Sequence, residues 1–349
     1  MSPRIPCSKP DPDFNRLLQV LKREGVPDRV PFYELFSNIQ DDVLRAIGKP
    51  PDDDPANWLR NHVEYMLSLG YDYINAGGDG FWFPTKERAK GMTAEGQVGY
   101  VQGGDHTIAS REEFEKYAWP VMSEIDYSPL ETAVPAQLPE GMKVISASSG
   151  MLENVMWLLG YEGICQLIYD DEQLVIDMFE AVGTRIITYL ETCASFDTVG
   201  AIVMGEDMGF KTQTFLSPEM YRKYLFPWHK RLVQAIHRLN KPIILHACGN
   251  LSAIMEDIID CGWDARHSFE DQIEPVWEIK QQYGGRIALL GGFDMDKICR
   301  MSEEEVRAHT RLMIDKCAPG GGWALGTGNS VANYIPVANF LAMLDEGRP

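Results

Sequence analysis

Eight short apolar runs, each followed by helical material, predict an α/β protein folded as a single (β/α)8 TIM barrel. The barrel is expected to carry an N-terminal helical arm and an insertion after its second strand. Two observations support the class. Strand and helix patterns alternate regularly from Ala201 onward, as a parallel sheet requires. No Gly-x-Gly-x-x-Gly opens a helix after a strand, so the nucleotide-binding form of an open sheet has no signature here. An open doubly wound sheet is the alternative arrangement. No linker or internal repeat divides the chain, so residues 1–12 read as an extended arm and 13–349 as one barrel domain.

Taken in order, Met1 to Pro12 holds four prolines and no apolar h-region, which argues for an extended arm rather than a signal peptide. Asp13 to Gly25 has apolar residues at helical spacing. Val30 to Phe36 reads as the first strand, with Glu34 on the same face as Phe32 and Phe36. Helical patterns at 41–47 and 58–69 end at Gly48 and Gly70, where glycine suits the turn past a helix. Tyr71 to Gly78 is the second strand. The alternating stretch Gln97 to Gln102 reads as part of a hairpin in the insertion. Ser110 with Glu113 forms a capping box. Lys143 to Ser148 is the third strand. Helices follow over 151–159 and 161–195, the second broken near Asp170.

Ala201 to Gly205 is the fourth strand, ending in Glu206-Asp207. Ser217-Pro218-Glu219 starts a helix to about Leu239, kinked by Pro227. The remaining strands are Ile243 to Cys248, Asp264 to Glu270, Arg286 to Asp294 and Gly322 to Gly326. Helices lie at 251–261, 273–283, 302–317 and 337–344.

The formal charge of -19 and a pI near 4.8 argue against nucleic acid and against an anionic membrane surface, both of which select basic proteins. No apolar run approaches the length of a membrane span. Seven scattered cysteines in a chain of 349 residues point to a reducing cytoplasm rather than a disulfide framework. A neutral or cationic small substrate fits this charge, as does an anion held in a local basic pocket.

The densest chemistry is Ile243-Ile244-Leu245-His246-Ala247-Cys248-Gly249-Asn250. His246 and Cys248 are two apart, so on a strand they share a face. Imidazole and thiolate together are zinc ligands. A lone buried cysteine is also a common small hydrophobe. In a barrel, chemistry sits at the C-terminal ends of strands. Those ends carry Glu34, Asn75, Ser148, Ser149, Glu206, Asp207, His246, Cys248, His267, Glu270, Asp294, Thr327 and Asn329. Glu206 and Asp294 are the expected catalytic carboxylates. His246, Cys248 and Glu206 are the expected metal ligands. Glu34, Asp207, Glu270 and Asn329 are expected to bind substrate. Tyr33, Phe81, Trp82 and Trp323 are candidates for walling an apolar pocket. Cys317, at the end of a helix that returns to the opposite end of the barrel, is expected to be structural.

His246-Ala247-Cys248-Gly249-Asn250, Gly262-Trp263-Asp264, Gly291-Gly292-Phe293-Asp294, Ala318-Pro319-Gly320-Gly321-Gly322 and Pro336-Val337-Ala338-Asn339 resemble the uroporphyrinogen decarboxylase superfamily, and the likeness is sharpest after Met204. Ser217 to Lys230 is similar to its central helix. The resemblance implies a (β/α)8 barrel. True decarboxylases of that superfamily carry arginines after the first strand for the porphyrinogen carboxylates. Residues 32–40 here contain none. The other branch, corrinoid-dependent methyltransferases, uses a His-x-Cys pair and a later cysteine on zinc. The resemblance aligns His246 and Cys248 with the pair, and sets Gly321 where the later cysteine is expected. It implies one zinc ion and a corrinoid carried by a separate protein. It also implies methyl transfer to or from a small substrate or thiol; the missing third cysteine leaves such a zinc more electrophilic, so O-, S- or N-demethylation is favoured over thiol methylation. Metal-free decarboxylation of uroporphyrinogen or another carboxylate is the alternative; a non-catalytic binding barrel and a homodimer are also left open.

Overall fold

The computed structural model of the chain describes residues 5–86 and 106–348, together with the backbone of two short strands between them. The strands are β1 (Tyr73–Asn75), β2 (Lys90–Met92), β3 (Val98–Tyr100), β4 (Lys143–Ser149), β5 (Val199–Asp207), β6 (Ile243–Cys248), β7 (Ala265–His267), β8 (Ala288–Leu290) and β9 (Trp323–Ala324). β2 and β3 form an antiparallel pair, so the alternating pattern at 98–100 does enter a hairpin; Gln97 and residues 101–102 lie outside the described residues. The other seven strands form one parallel sheet in the order β1-β4-β5-β6-β7-β8-β9. β5 and β6 are apolar almost throughout and buried, as strands covered on both faces must be.

The sheet is curled. Phe32 forms a parallel bridge with Leu325, just after β9, through Tyr33 N to Leu325 O at 2.8 Å and Leu325 N to Pro31 O at 3.0 Å. On the other side of that segment the Tyr73 hydroxyl of β1 contacts Glu34 N at 2.7 Å and Glu34 O at 2.6 Å. The two edges of the sheet therefore converge on residues 31–34. The strand predicted over 30–36 shrinks to a bridge because a side-chain hydroxyl occupies the backbone groups that a ladder to β1 would use.

Helices cover the sheet where the punctuation predicts. Asp171 caps Glu172–Ala194 by accepting from Leu174 N, which accounts for the break near Asp170. The helix opened by Ser217 passes through a wide turn at Tyr221–Leu225 and resumes as Phe226–Arg238, with Pro227 in its first turn. Proline supplies no N–H there, so the hydrogen-bond ladder must reset. Ser302 and Glu305 form the predicted capping box. Among the described residues no helix is long and apolar enough to cross a membrane.

Candidate functional site

Register decides which strand-end residues meet. β5 pairs with β6 through Gly205↔His246, Glu206↔Ala247 and Asp207↔Cys248, and β6 pairs with β7 through His246↔His267. Side chains alternate along a strand. His246, Cys248, Asp207 and His267 thus share one face, and Glu206 lies on the other.

On the shared face the contacts form a chain. His267 Nε2 lies 3.1 Å from the Thr327 carbonyl. His267 Nδ1 lies 2.7 Å from His246 Nδ1. His246 Nε2 lies 3.5 Å from Cys248 Sγ. Asn329 Nδ2 is 3.3 Å from the same sulfur, and Ser268 Oγ is 3.8 Å away. Burial holds the His246 imidazole well below its usual pKa, with the charges of His267 and Arg266 acting the same way. Burial likewise lowers His267 to about 4. Burial pushes the Cys248 thiol up to about 12; Asp207 acts in the same direction and Asn329 against it. At neutral pH the pair is a thiol beside a neutral imidazole.

Those two donors suit zinc. With Zn–S near 2.3 Å and Zn–N near 2.0 Å, two ligands of a tetrahedral ion stand roughly 3.5 Å apart. The observed separation is 3.5 Å. Among the described residues, however, no group of three or more His, Cys, Asp or Glu side chains is placed to hold an ion. The fit is that of an open, two-donor site.

Glu206 does not join it. Its carboxylate accepts from Met151 N at 2.7 Å and Glu153 N at 2.8 Å, at the start of the helix Met151–Leu159, and faces buried His229 at 3.4 Å. A carboxylate at a helix N-terminus satisfies orphan N–H groups. The expectation that Glu206 completes a metal site with His246 and Cys248 is corrected by this opposite-face placement; the carboxylate on their face is Asp207.

Gly321 also moves. It precedes β9, and a Cβ there would lie 1.9 Å from Gly25 O; its φ is +70°. The Lys280 ammonium bonds its carbonyl, and Cys317 lies near that lysine. This is the strand-entry end, whereas His246 stands level with the exit end. A ligand at position 321 would not reach the pair. The residues that β9 and its following loop bring to the pair are Thr327 and Asn329.

Glu34 is buried against Thr327, accepting from Thr327 N at 2.8 Å and meeting the Thr327 hydroxyl. That hydroxyl also contacts Asn329 O, and it has one proton for two acceptors. A protonated Glu34 resolves the conflict, and burial raises its pKa to about 8. Asp294 caps the helix Met295–Arg300 and accepts from Asp271 N, so its oxygens are engaged in holding two loops together. Glu270 pairs with Lys211 at 3.4 Å.

Glu270, Asp294 and Asn329 line one solvent-open cavity of about 760 Å³, with Lys211, Asp296 and Arg300. Asn329 links this cavity to the sulfur of Cys248. The four aromatics do not form a wall. Phe81 stacks on Tyr189, Trp82 is exposed, Trp323 donates to Gly291 O in the core, and Tyr33 packs edge-on against His267. The sequence places His267 and Thr327 at strand ends without assigning either a part. Their link to His246 depends on register between strands, which no local pattern encodes.

A uroporphyrinogen decarboxylase (URO-D) family signature matches residues 106–348, spanning β4 to β9 and the whole cluster around His246. The chain belongs to the uroporphyrinogen decarboxylase family. Within it, the chain is similar to proteins of two chemistries. It is 26% identical over 186 residues to a methylated-thiol–coenzyme M methyltransferase of Methanosarcina mazei, covering 53% of this chain and 47% of that one. It is 27% identical over 130 residues to a methylcobamide:CoM methyltransferase of Methanosarcina barkeri, covering 37% and 36%. It is 24% identical over 184 residues to a uroporphyrinogen decarboxylase of Thioalkalivibrio sulfidiphilus, covering 52% and 50%. The chain thus spans half or less of the length of these relatives. In fold it is similar to a methyltransferase from Methanosarcina mazei, with a TM-score of 0.69 at 17% identity, over 95% of this chain and 97% of that one.

Proposed function

We propose that the chain is a corrinoid-dependent methyltransferase, moving a methyl group between a small methylated substrate or thiol and the corrinoid of a separate protein. One observation carries the reading: His246 Nε2 and Cys248 Sγ stand 3.5 Å apart at a strand-end rim beside an open cavity. The methyltransferase relatives support it. So does the cavity's charge, since its three carboxylates outnumber Lys211 and Arg300 and would repel a polycarboxylate. We also read the sheet as a closed (β/α)8 barrel, with residues 31–34 in the first-strand position and 5–12 as the described part of the expected arm; residues 1–4 lie outside the described residues.

In this reading His246 Nε2 and Cys248 Sγ hold one zinc ion, with Asp207 as the carboxylate on their face. When bound, the ion supplies Lewis-acid polarisation of a methylated heteroatom, and a single thiolate donor leaves it electrophilic, which favours O-, S- or N-demethylation. The chain's own groups prepare the site. Asn329 Nδ2–H donates to the sulfur and stabilises its thiolate form. Glu270, one quarter exposed on the cavity wall, orients a neutral or cationic substrate. Asp294 fixes the loops that shape that wall. The open mouth of the cavity would leave a bound substrate accessible to the corrinoid of a separate protein.

Metal-free decarboxylation is the second reading, favoured by the decarboxylase relatives and by a Glu34 that keeps its proton up to about pH 8. Metal analysis of protein purified without added zinc separates the two. We expect about one zinc per chain, and a thiolate charge-transfer band on cobalt(II) substitution that vanishes in Cys248→Ser. Zinc-free protein whose turnover survives His246→Ala overturns the methyltransferase reading.

A further inference from the structure

We infer that His267 is a positioning residue that fixes the tautomer of His246, leaving His246 Nε2 bare and aimed at Cys248. The direction follows from the acceptor at the end of the chain. The Thr327 carbonyl only accepts, so His267 Nε2, 3.1 Å away, carries a proton. In a neutral ring the other nitrogen is then a lone pair. His267 Nδ1 therefore accepts from His246 Nδ1 at 2.7 Å, and that nitrogen carries the proton of His246. The lone pair of His246 is left on Nε2, 3.5 Å from the sulfur. The opposite tautomers would set a lone pair against the Thr327 carbonyl.

The anchor is built rigidly. Thr327 N donates to Glu34 at 2.8 Å, and Gly292 N donates to the Thr327 carbonyl at 3.2 Å. Gly291 lets His267 and that carbonyl approach: a Cβ at 291 would lie 2.1 Å from Thr327 O and 3.0 Å from the His267 ring, and φ there is +74°. Tyr33 packs edge-on to the His267 ring, with centroids 5.2 Å apart. Outer partners that orient a ligating histidine change metal affinity by about 10- to 100-fold. The tautomer follows from the hydrogen-bond geometry of two neutral imidazoles; its consequence for metal affinity rests on the zinc reading above.

The test uses ¹⁵N-histidine-labelled, metal-free protein in long-range proton–nitrogen correlation spectra near neutral pH, followed by zinc titration. The expected result is His246 protonated at Nδ1 in the native protein. His267→Gln presents an amide oxygen to His246 and an amide N–H to Thr327, so it should keep that tautomer and hold zinc affinity within about threefold. His267→Leu should mix the tautomers and weaken zinc by about 10- to 100-fold. A native His246 protonated at Nε2 overturns the inference, as does equal weakening by Gln and Leu, which marks a packing role. The expected tautomers in a protein that binds no zinc would sustain the inference and remove the zinc reading.

Discussion

The two faces of the β5–β6 pair use the same kinds of side chain for opposite ends. On one face Glu206, fully buried, spends its oxygens on two backbone N–H groups and serves the fold. On the other, Cys248 and His246 keep a sulfur and a nitrogen lone pair turned to each other at the edge of a cavity. A buried polar group that satisfies backbone donors stabilises structure; one whose donor atom lacks a strong partner is available for a ligand.

The sharpest way to break this comparison is to remove one member from each face. Cys248→Ser should lower zinc affinity by more than about 100-fold, beyond what changing a ligand's hydrogen-bond partner does, while metal-free stability in urea stays within about 1 kcal/mol. Glu206→Ala should do the reverse. It orphans two N–H groups at a helix start and should lose about 3 kcal/mol in urea, with zinc still bound in the folded protein. Loss of zinc from folded Glu206→Ala would merge the two faces into one site.

A second comparison concerns the two ends of β9. Gly321→Cys should leave zinc affinity unchanged in calorimetric titration, and should cost about 2 kcal/mol because a side chain meets Gly25 O at a positive φ. Asn329→Asp, which sets a carboxylate where Nδ2 now lies 3.3 Å from the sulfur, should tighten zinc about tenfold. Tightening by Gly321→Cys instead would place the third ligand at the strand's entry.

A pH-dependent effect distinguishes the two buried glutamates. Glu34 has a folded pKa of about 8, above its unfolded value, so its protonated form binds the fold. Its stabilisation is fully present below the unfolded carboxylate range and is lost as pH rises towards 8. Native protein should therefore lose stability relative to Glu34→Gln between pH 5 and pH 8, by on the order of 3 kcal/mol in denaturant midpoints. A constant difference between the two proteins across that range would show that Glu34 is ionised throughout.

Much of this architecture is legible along the chain itself. The alternation of strands and helices, the helix starts at Ser110 and Ser302, the break near Asp170 and the His246–Cys248 pair all follow from local periods. Covalent geometry sets side-chain direction within one strand or helix, so the amino-acid order alone makes His246 and Cys248 face the same way at the end of a buried parallel strand. Their company is a matter of packing. His267 is level with His246, Glu206 turns away, and Asn329, rather than a residue at 321, reaches the sulfur. Those contacts join residues 21 and 81 positions apart, and Glu34 meets Thr327 across 293. Their alignment is a property of inter-strand register and sheet curvature, which arise from packing the whole core at once rather than from any local run of residues.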